Sequence, residues 1–249
     1  MEKLIYGVSE GLQKNGENTF CPGCMHSTAH KIITEVLDEM NMRGKTVIVL
    51  PVGCAVNSHT YFNLDMVGCL HGRAAAVSVG LKHAQPDKLI ISYQGDGDAA
   101  GIGFNETFYA ANRGDPITVI MINNQIYGMT GGQMSPCTLV GQTATTAIHG
   151  RDPYKVGWPV HVAEILSTLQ ATGYVARFAL NNPKNIIAAK NGIKKAFKLQ
   201  LEKKKYSYIE LLAACPTNWG IQPELGPRWM EEKVFPVFPI GEFKVPEEV

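Results

Sequence analysis

The chain has 249 residues, of which 45% are hydrophobic and 18% charged, with 23 Lys and Arg set against 22 Asp and Glu. That length and apolar content supply a large core and exclude a disordered, collagen-like or coiled-coil chain. The near-cancelling charge excludes a dedicated nucleic-acid surface, and no apolar run approaches the roughly 20 residues of a membrane helix. The expectation is one α/β domain over residues 1–249, with neither nucleic acid nor membrane as partner.

Residues 1–20 are polar and glycine-containing and read as an N-terminal arm. They hold no basic stretch followed by an apolar one, so a cytoplasmic location is expected. Residues 27–42 place Ile32, Ile33, Val36, Leu37 and Met40 on one helical face. The run from Thr46 to Cys54 is β-branched and ends on Pro and Gly, a buried strand. Residues 72–84 read as a small-residue helix and 88–98 as a strand entering a glycine-rich loop. Helix at 99–113 and strand at 116–125 follow. Two strand–helix–strand crossovers in succession predict a doubly wound, mainly parallel sheet with helices on both faces.

Residues 128–159 are rich in Gly, Thr and Pro without periodicity. A loop of that length inside a domain is usually functional. Helix is expected again at 160–172 and 183–204, and strand at 174–180 and from Tyr206 towards Cys215. The stretch 221–249, with repeated Pro and aromatic residues, reads as a C-terminal extension lying as an extended arm on another surface.

Six cysteines occupy positions 21, 24, 54, 69, 137 and 215. A chain this rich in core needs no disulfide staples. Cys21-Pro22-Gly23-Cys24 is a C-x-x-C turn that aims two thiolates at one site and leaves backbone N–H groups free for sulfur. Cys54 and Cys215, each after an apolar strand, are its possible partners. Four thiolates suit zinc or an iron–sulfur cluster, and a dithiol redox pair is equally open. Cys69 and Cys137 read as small buried hydrophobes.

Gly95-Asp96-Gly97 lies where a strand delivers its end to a loop, and Asn123-Asn124 ends the next strand. Ligands bind at such strand ends in doubly wound sheets. Asp96 and the Asn124 amide oxygen, a nearby carbonyl and diphosphate oxygens would complete an octahedral Mg²⁺ site. The bland reading, that both pairs merely make turns, has to explain their coincidence on successive strands. A nicotinamide site fits poorly, because no G-x-G-x-x-G follows the first strand.

GDG followed by NN resembles the thiamine-diphosphate signature. Together with FCPGC, PVGC, HGRA, YGMTGGQ and CPTNWG it resembles the β subunit of 2-oxoacid:ferredoxin oxidoreductases, in order over about residues 18–225. The resemblance implies thiamine diphosphate, Mg²⁺ and one [4Fe–4S] cluster. Cys21, Cys24, Cys54 and Cys215 would ligate the cluster. Asp96, Asn124 and the Ile126 carbonyl would bind Mg²⁺. His71, Gly72, Arg73, Gly95, Gly97, Asp98, Tyr127, Thr130 and Gly131 would join Asp96 and Asn124 around the cofactor. Departures are Met25 where relatives often carry Gly, Cys137 in place of a Thr, and Gly131 where some relatives carry Lys.

The implied reaction is oxidative decarboxylation of a 2-oxoacid to acyl-CoA and CO₂, with electrons passed singly to ferredoxin. The implied partners are an α subunit carrying the activating Glu, with or without γ and δ subunits, together with ferredoxin and coenzyme A. MTGGQ and CPTNWG look most like the 2-oxoisovalerate and 2-oxoglutarate members; 2-oxoisovalerate is the expected substrate, with 2-oxoglutarate, pyruvate or an aryl 2-oxoacid as alternatives. The rival readings are a thiamine-dependent decarboxylase without electron transfer, and a non-enzymatic zinc-stabilised scaffold.

Overall fold

A computed structural model describes residues 7–16 and 19–246. In chain order the helices are α1 (His26–Glu39), α2 (Ala74–Ala84), α3 (Phe104–Arg113), α4 (Pro153–Val156), α5 (Val162–Ser167), α6 (Pro183–Lys198), α7 (Pro216–Trp219) and α8 (Gly226–Trp229). The strands are β1 (Thr46–Leu50), β2 (Asp65–Gly68), β3 (Leu89–Gly95), β4 (Thr118–Asn123), β5 (Ile126–Tyr127), β6 (Gln133–Met134), β7 (Thr172–Ala179), β8 (Tyr206–Leu212) and β9 (Gly241–Lys244).

Seven strands form one sheet in the order β2-β1-β3-β4-β8-β7-β9, and β5 pairs with β6 in a small antiparallel ribbon. Every pairing in the large sheet is parallel except β7 with β9. β1, β4 and β8 are buried at every position. Strands buried at every position require cover on both faces, as in a sheet wound on both sides by helices. One layer pairs α1 with α6, and another packs α2 on α3 and α3 on α5. The expected fold class therefore holds.

Local chemistry fixes the helix ends. Asn182 accepts from the Asn185 N–H to cap α6, with Pro183 at its first position. Gly114 ends α3 in the left-handed conformation, φ +70°. Under β7, Arg177 is fully buried. It meets Glu164 at 2.6 Å and Glu210 at 3.0 Å and lies over the rings of Phe238 and Phe243. A buried guanidinium is tolerable only with such partners.

The structure differs from the sequence expectations in several places. β2 was not foreseen, because Asp65–Gly68 is half-exposed and too short to show alternation. The expected helix at 160–172 is only Val162–Ser167, since β7 already begins at Thr172. The helix expected at 99–113 is present but broken: a π-helical turn spans Asp98–Ile102, kinked at Gly101, before α3 begins at Phe104. The C-terminal segment is no extended arm on a foreign surface. It forms helical turns at Gly226–Trp229 and Met230–Val234, then adds β9 to its own sheet. Met230, Val234 and Phe238 are fully buried, so its apolar residues repay burial at home. Of the N-terminal arm, residues 1–6 and 17–18 lie outside the described residues. Leu12 bridges to Phe62, and Gln13 N donates to the Tyr61 carbonyl.

Candidate active site

The carboxyl ends of β3 and β4, neighbours in register from Ile91–Thr118 to Gly95–Ile122, open onto one cleft. Gly95, Asp96, Gly97, Asp98, Asn124, Ile126, Tyr127 and Thr130 line it, together with Val52 and Cys54 from after β1 and His71 from after β2.

Asp96 is 2% exposed. Its Oδ2 accepts from Ser135 Oγ at 2.6 Å and its Oδ1 from the Gly97 N–H at 3.0 Å. Burial pushes its carboxyl up to about 7, against these two bonds. The bonding donors are neutral, so the ionised form calls for a cation. Asn124 is also buried, and its carbonyl accepts from Trp219 Nε1 at 3.0 Å. Gln125, between Asn124 and Ile126, has φ 59°. That left-handed turn reverses the chain from β4 into β5.

Asp98 is buried as well and holds the His71–Gly72 segment. It accepts from the Gly72 N–H and from Gln94 Nε2, both at 2.5 Å, and meets His71 Nδ1 at 2.8 Å. Burial raises its carboxyl above the ordinary value. Gly72 needs its hydrogen side chain. Its φ is +80°, and a Cβ would lie 2.8 Å from Ile102 Cγ2. Arg73 is paired with Glu106 and is not part of the cleft wall. Thr130 is exposed and its hydroxyl donates to Gln133 Oε1. Gly131 is exposed at φ +104° and lies off the cleft wall.

Gly97 carries the ring of Tyr127, whose hydroxyl donates to the Gly97 carbonyl at 3.2 Å. A Cβ on Gly97 would stand 2.1 Å from Tyr127 Cε1. Gly97→Ala is therefore expected to displace the ring and destabilise the protein by about 1–3 kcal/mol, as overpacking does. Thermal denaturation checks this, and an unchanged melting temperature would refute the contact.

The four cysteines from three separate regions share one neighbourhood. Cys24 N donates to the Cys21 carbonyl at 3.0 Å, closing the C-x-x-C turn. Gly23 makes that turn at φ +75°, where a Cβ would meet Pro223 at 2.9 Å and Pro216 at 3.0 Å. The C-terminal segment thus supports the turn directly. A Cβ at Gly128 would lie 3.1 Å from Cys54 Sγ and 3.7 Å from Cys215 Sγ, so both thiols press on the loop after β5. Burial pushes the Cys24 thiol up to about 12, and negative charge on Cys215, Cys54 and Cys21 adds to the rise. Burial likewise pushes Cys54 up to about 11, with Cys215, Cys21 and Asp96 adding. Burial raises Cys215 too, while Asn218 works against it. Crowded, desolvated thiolates of this kind need metal charge to exist. Among the described residues, no three His, Cys, Asp or Glu side chains converge as one metal ion would demand. All six cysteines are unpaired, with Cys69 half-buried and Cys137 buried.

Sequence reasoning missed Asn218, Ser135 and Thr138. Asn218 donates to Cys215 Sγ at 3.3 Å and to the Gly128 carbonyl at 3.2 Å. It stands in the CPTNWG motif, but a side-chain amide there carries no pattern of its own. Ser135 and Thr138 reach the two strand ends from an aperiodic loop, which gives no clue to where it folds. Met25, noted as a departure, is buried, and its sulfur accepts from the Ala214 N–H at 3.4 Å.

A doubly wound sheet that brings the buried Asp96 and Asn124, from the ends of adjacent strands, into one cleft has the arrangement expected of a thiamine-diphosphate-binding domain. The family described as "Thiamine pyrophosphate enzyme, C-terminal TPP binding domain" matches residues 51–211. The chain is 44% identical over 225 residues to ketoisovalerate oxidoreductase subunit VorA of Methanothermobacter thermautotrophicus, covering 90% of this chain and 47% of that protein. It is 34% identical over 202 residues to 2-oxoglutarate synthase subunit KorB of Methanocaldococcus jannaschii, covering 81% and 70%. A solved 2-oxoglutarate:ferredoxin oxidoreductase from Magnetococcus marinus, with 2-oxoglutarate, coenzyme A and succinyl-CoA bound, superposes with a TM-score of 0.75 at 27% identity, covering 86% of this chain and 70% of that one. The chain belongs to the thiamine-pyrophosphate enzymes, among the β-type subunits of 2-oxoacid:ferredoxin oxidoreductases. It spans about half the length of the ketoisovalerate oxidoreductase subunit it matches.

Proposed function

We propose that this chain is the thiamine-diphosphate-holding subunit of an enzyme that oxidatively decarboxylates a 2-oxoacid to acyl-CoA and CO₂ and reduces ferredoxin. The observation that carries this is the sharing of one cleft by Asp96, Asn124 and Cys54. Asp96, Asn124 and the Ile126 carbonyl would hold Mg²⁺, and with it the diphosphate. Asp96 fits that role as a buried carboxylate bonded only by neutral donors in its hydrogen bonds. His71, Asp98, Gly95, Gly97, Tyr127 and Thr130 would shape the remaining wall, with Gly72, Arg73 and Gly131 further out.

Cys21, Cys24, Cys54 and Cys215 would hold a [4Fe–4S] cluster. A cluster takes its thiolates at separate corners, which suits four thiols brought from three regions of the chain into one neighbourhood. When bound, thiamine diphosphate supplies an electron sink for decarboxylation and the cluster a one-electron carrier. This chain would hold the two groups side by side, since Cys54 lines the cleft with Asp96 and lies against the Gly128 loop. The free thiols suit the reducing cytoplasm. No described helix is long and apolar enough to cross a membrane. An α subunit, with or without γ and δ subunits, would complete the site.

For the substrate we favour 2-oxoisovalerate. Val52, Ala55, Ile126 and Met129 give the cleft an apolar wall, and no Lys or Arg lines it among the described residues. That suits a branched side chain better than the second carboxylate of 2-oxoglutarate. The higher identity to the ketoisovalerate subunit supports the same choice.

The test is anaerobic purification with the partner subunits, followed by metal and thiamine analysis and ferredoxin-reduction assays. About four irons per cluster and one thiamine diphosphate per copy of this chain are expected, with the fastest turnover on 2-oxoisovalerate. Zinc without thiamine would overturn the reading in favour of a scaffold. Faster turnover on 2-oxoglutarate would overturn the substrate.

A further inference from the structure

The ladder between β3 and β4 ends at Gly95 and Ile122. Asp96 and the Asn124–Ile126 turn lie beyond it, so strand pairing does not set their spacing. A third segment makes the connection. Ser135 Oγ donates to Asp96 Oδ2 at 2.6 Å, and Thr138 Oγ1 donates to the Gln125 carbonyl at 2.6 Å. The two are joined to each other, because the Ser135 N–H donates to Thr138 Oγ1 at 2.8 Å. One short turn therefore holds both strand ends.

That turn is fastened from behind. Arg151 is 5% exposed, and its Nη1 donates to the carbonyls of Ser135, Pro136 and Thr138 at 3.2, 2.9 and 2.8 Å. Its Nε and Nη2 donate to the carbonyls of Gly157 and Trp158, both at 2.8 Å. The guanidinium is spent on five carbonyls, which closes the aperiodic 128–159 stretch on itself. Gln125 is left-handed without being glycine, a conformation that persists only when its surroundings hold it. Its Nε2 bonds to Asn123, and its carbonyl is held by Thr138. Holding that carbonyl orients the peptide on which Asn124 and Ile126 hang.

We propose that Ser135 and Thr138, anchored by Arg151, are positioning residues that set the separation of Asp96 from the Asn124–Ile126 turn, and through it the affinity for Mg²⁺. This rests on the thiamine-diphosphate reading given above.

The test measures thiamine diphosphate binding to the purified complex across a Mg²⁺ titration by equilibrium dialysis. It compares native protein with Thr138→Val, Thr138→Ser and Ser135→Ala. Thr138→Val keeps the shape and strands the Gln125 carbonyl. It should raise the Mg²⁺ concentration for half-saturation about tenfold, the range expected for one lost buried hydrogen bond. Thr138→Ser should restore it, and iron content should stay at the native level in both. Ser135→Ala gives a second, independent reading on Asp96 and should shift the titration the same way. Half-saturation unmoved in both Thr138→Val and Ser135→Ala would overturn the clamp. Equal losses of Mg²⁺ response and iron, unrescued by Thr138→Ser, would also overturn it by showing a general structural role. Native complex that binds no thiamine diphosphate at any Mg²⁺ concentration would instead bring down the parent reading.

Discussion

Asp96→Asn is expected to abolish Mg²⁺-dependent uptake of thiamine diphosphate and, at the same time, to raise the melting temperature of the cofactor-free protein above pH 7. The two effects share one cause. Burial holds the Asp96 carboxyl at about 7 in the folded chain, against an ordinary aspartate value near 3.9 when unfolded. Below about pH 4 both states carry the proton and ionisation makes no difference. Between about 4 and 7 the unfolded chain has released its proton while the folded chain keeps it, so stability falls as pH rises. By pH 7 the accumulated loss is about 4 kcal/mol, and it stays constant above that. Asparagine never ionises and escapes this loss, less the cost of facing the Gly97 N–H with an amide if its NH₂ points that way. Melting curves of both cofactor-free proteins across pH check it. The gap between them should open from pH 4 to 7 and then level off. A gap independent of pH would remove Asp96 from its assigned state. Addition of Mg²⁺ with thiamine diphosphate should raise the melting temperature of the native protein alone. A functional site that costs stability until it is filled is the usual trade between activity and stability.

Cys54→Ser should lower iron from about four to below one per copy of this chain, after subtraction of clusters on partner subunits, while thiamine diphosphate binding persists. The reason is the division of labour between elements. Cys54 follows β1, whereas Asp96 and Asn124 follow β3 and β4. Serine matches the size of cysteine but is a poor ligand for iron beside three thiolates. Anaerobic iron and sulfide analysis, with electron paramagnetic resonance of the reduced sample, reads the outcome. Iron retained at the native level would strike Cys54 from the ligand set.

The sheet was legible because β1 and β4 are runs of β-branched and apolar residues, and β3 and β8 are largely apolar and aromatic, all bounded by glycine, proline or polar turns. Such runs leave little choice but a strand buried on both faces. The strand ends were legible for the same reason, since GDG and NN mark where the runs stop. What lay beyond local pattern was not. The Asp98–Ile102 turn depends on Gly101 and on the carboxylate of Asp98 reaching Gly72 and His71, all tertiary events. Arg73 was grouped with its neighbours His71 and Gly72 by position, yet it turns to Glu106 on α3. The C-terminal segment hid its strand because Gly241–Lys244 has no alternation of its own and borrows its order from β7.

The two rims of the large sheet have a consequence for assembly. β2 and β9 are each four residues long, and β9 runs against the direction of its neighbour. Asp65 and Glu242 put charge on these rims, and both are engaged, by Lys88 and Lys195 respectively. Brief, charged margins make poor templates for another backbone. A second polypeptide therefore gains little by continuing this sheet sideways. Whatever joins the chain does better to meet it across side chains, on the loops where the strands end.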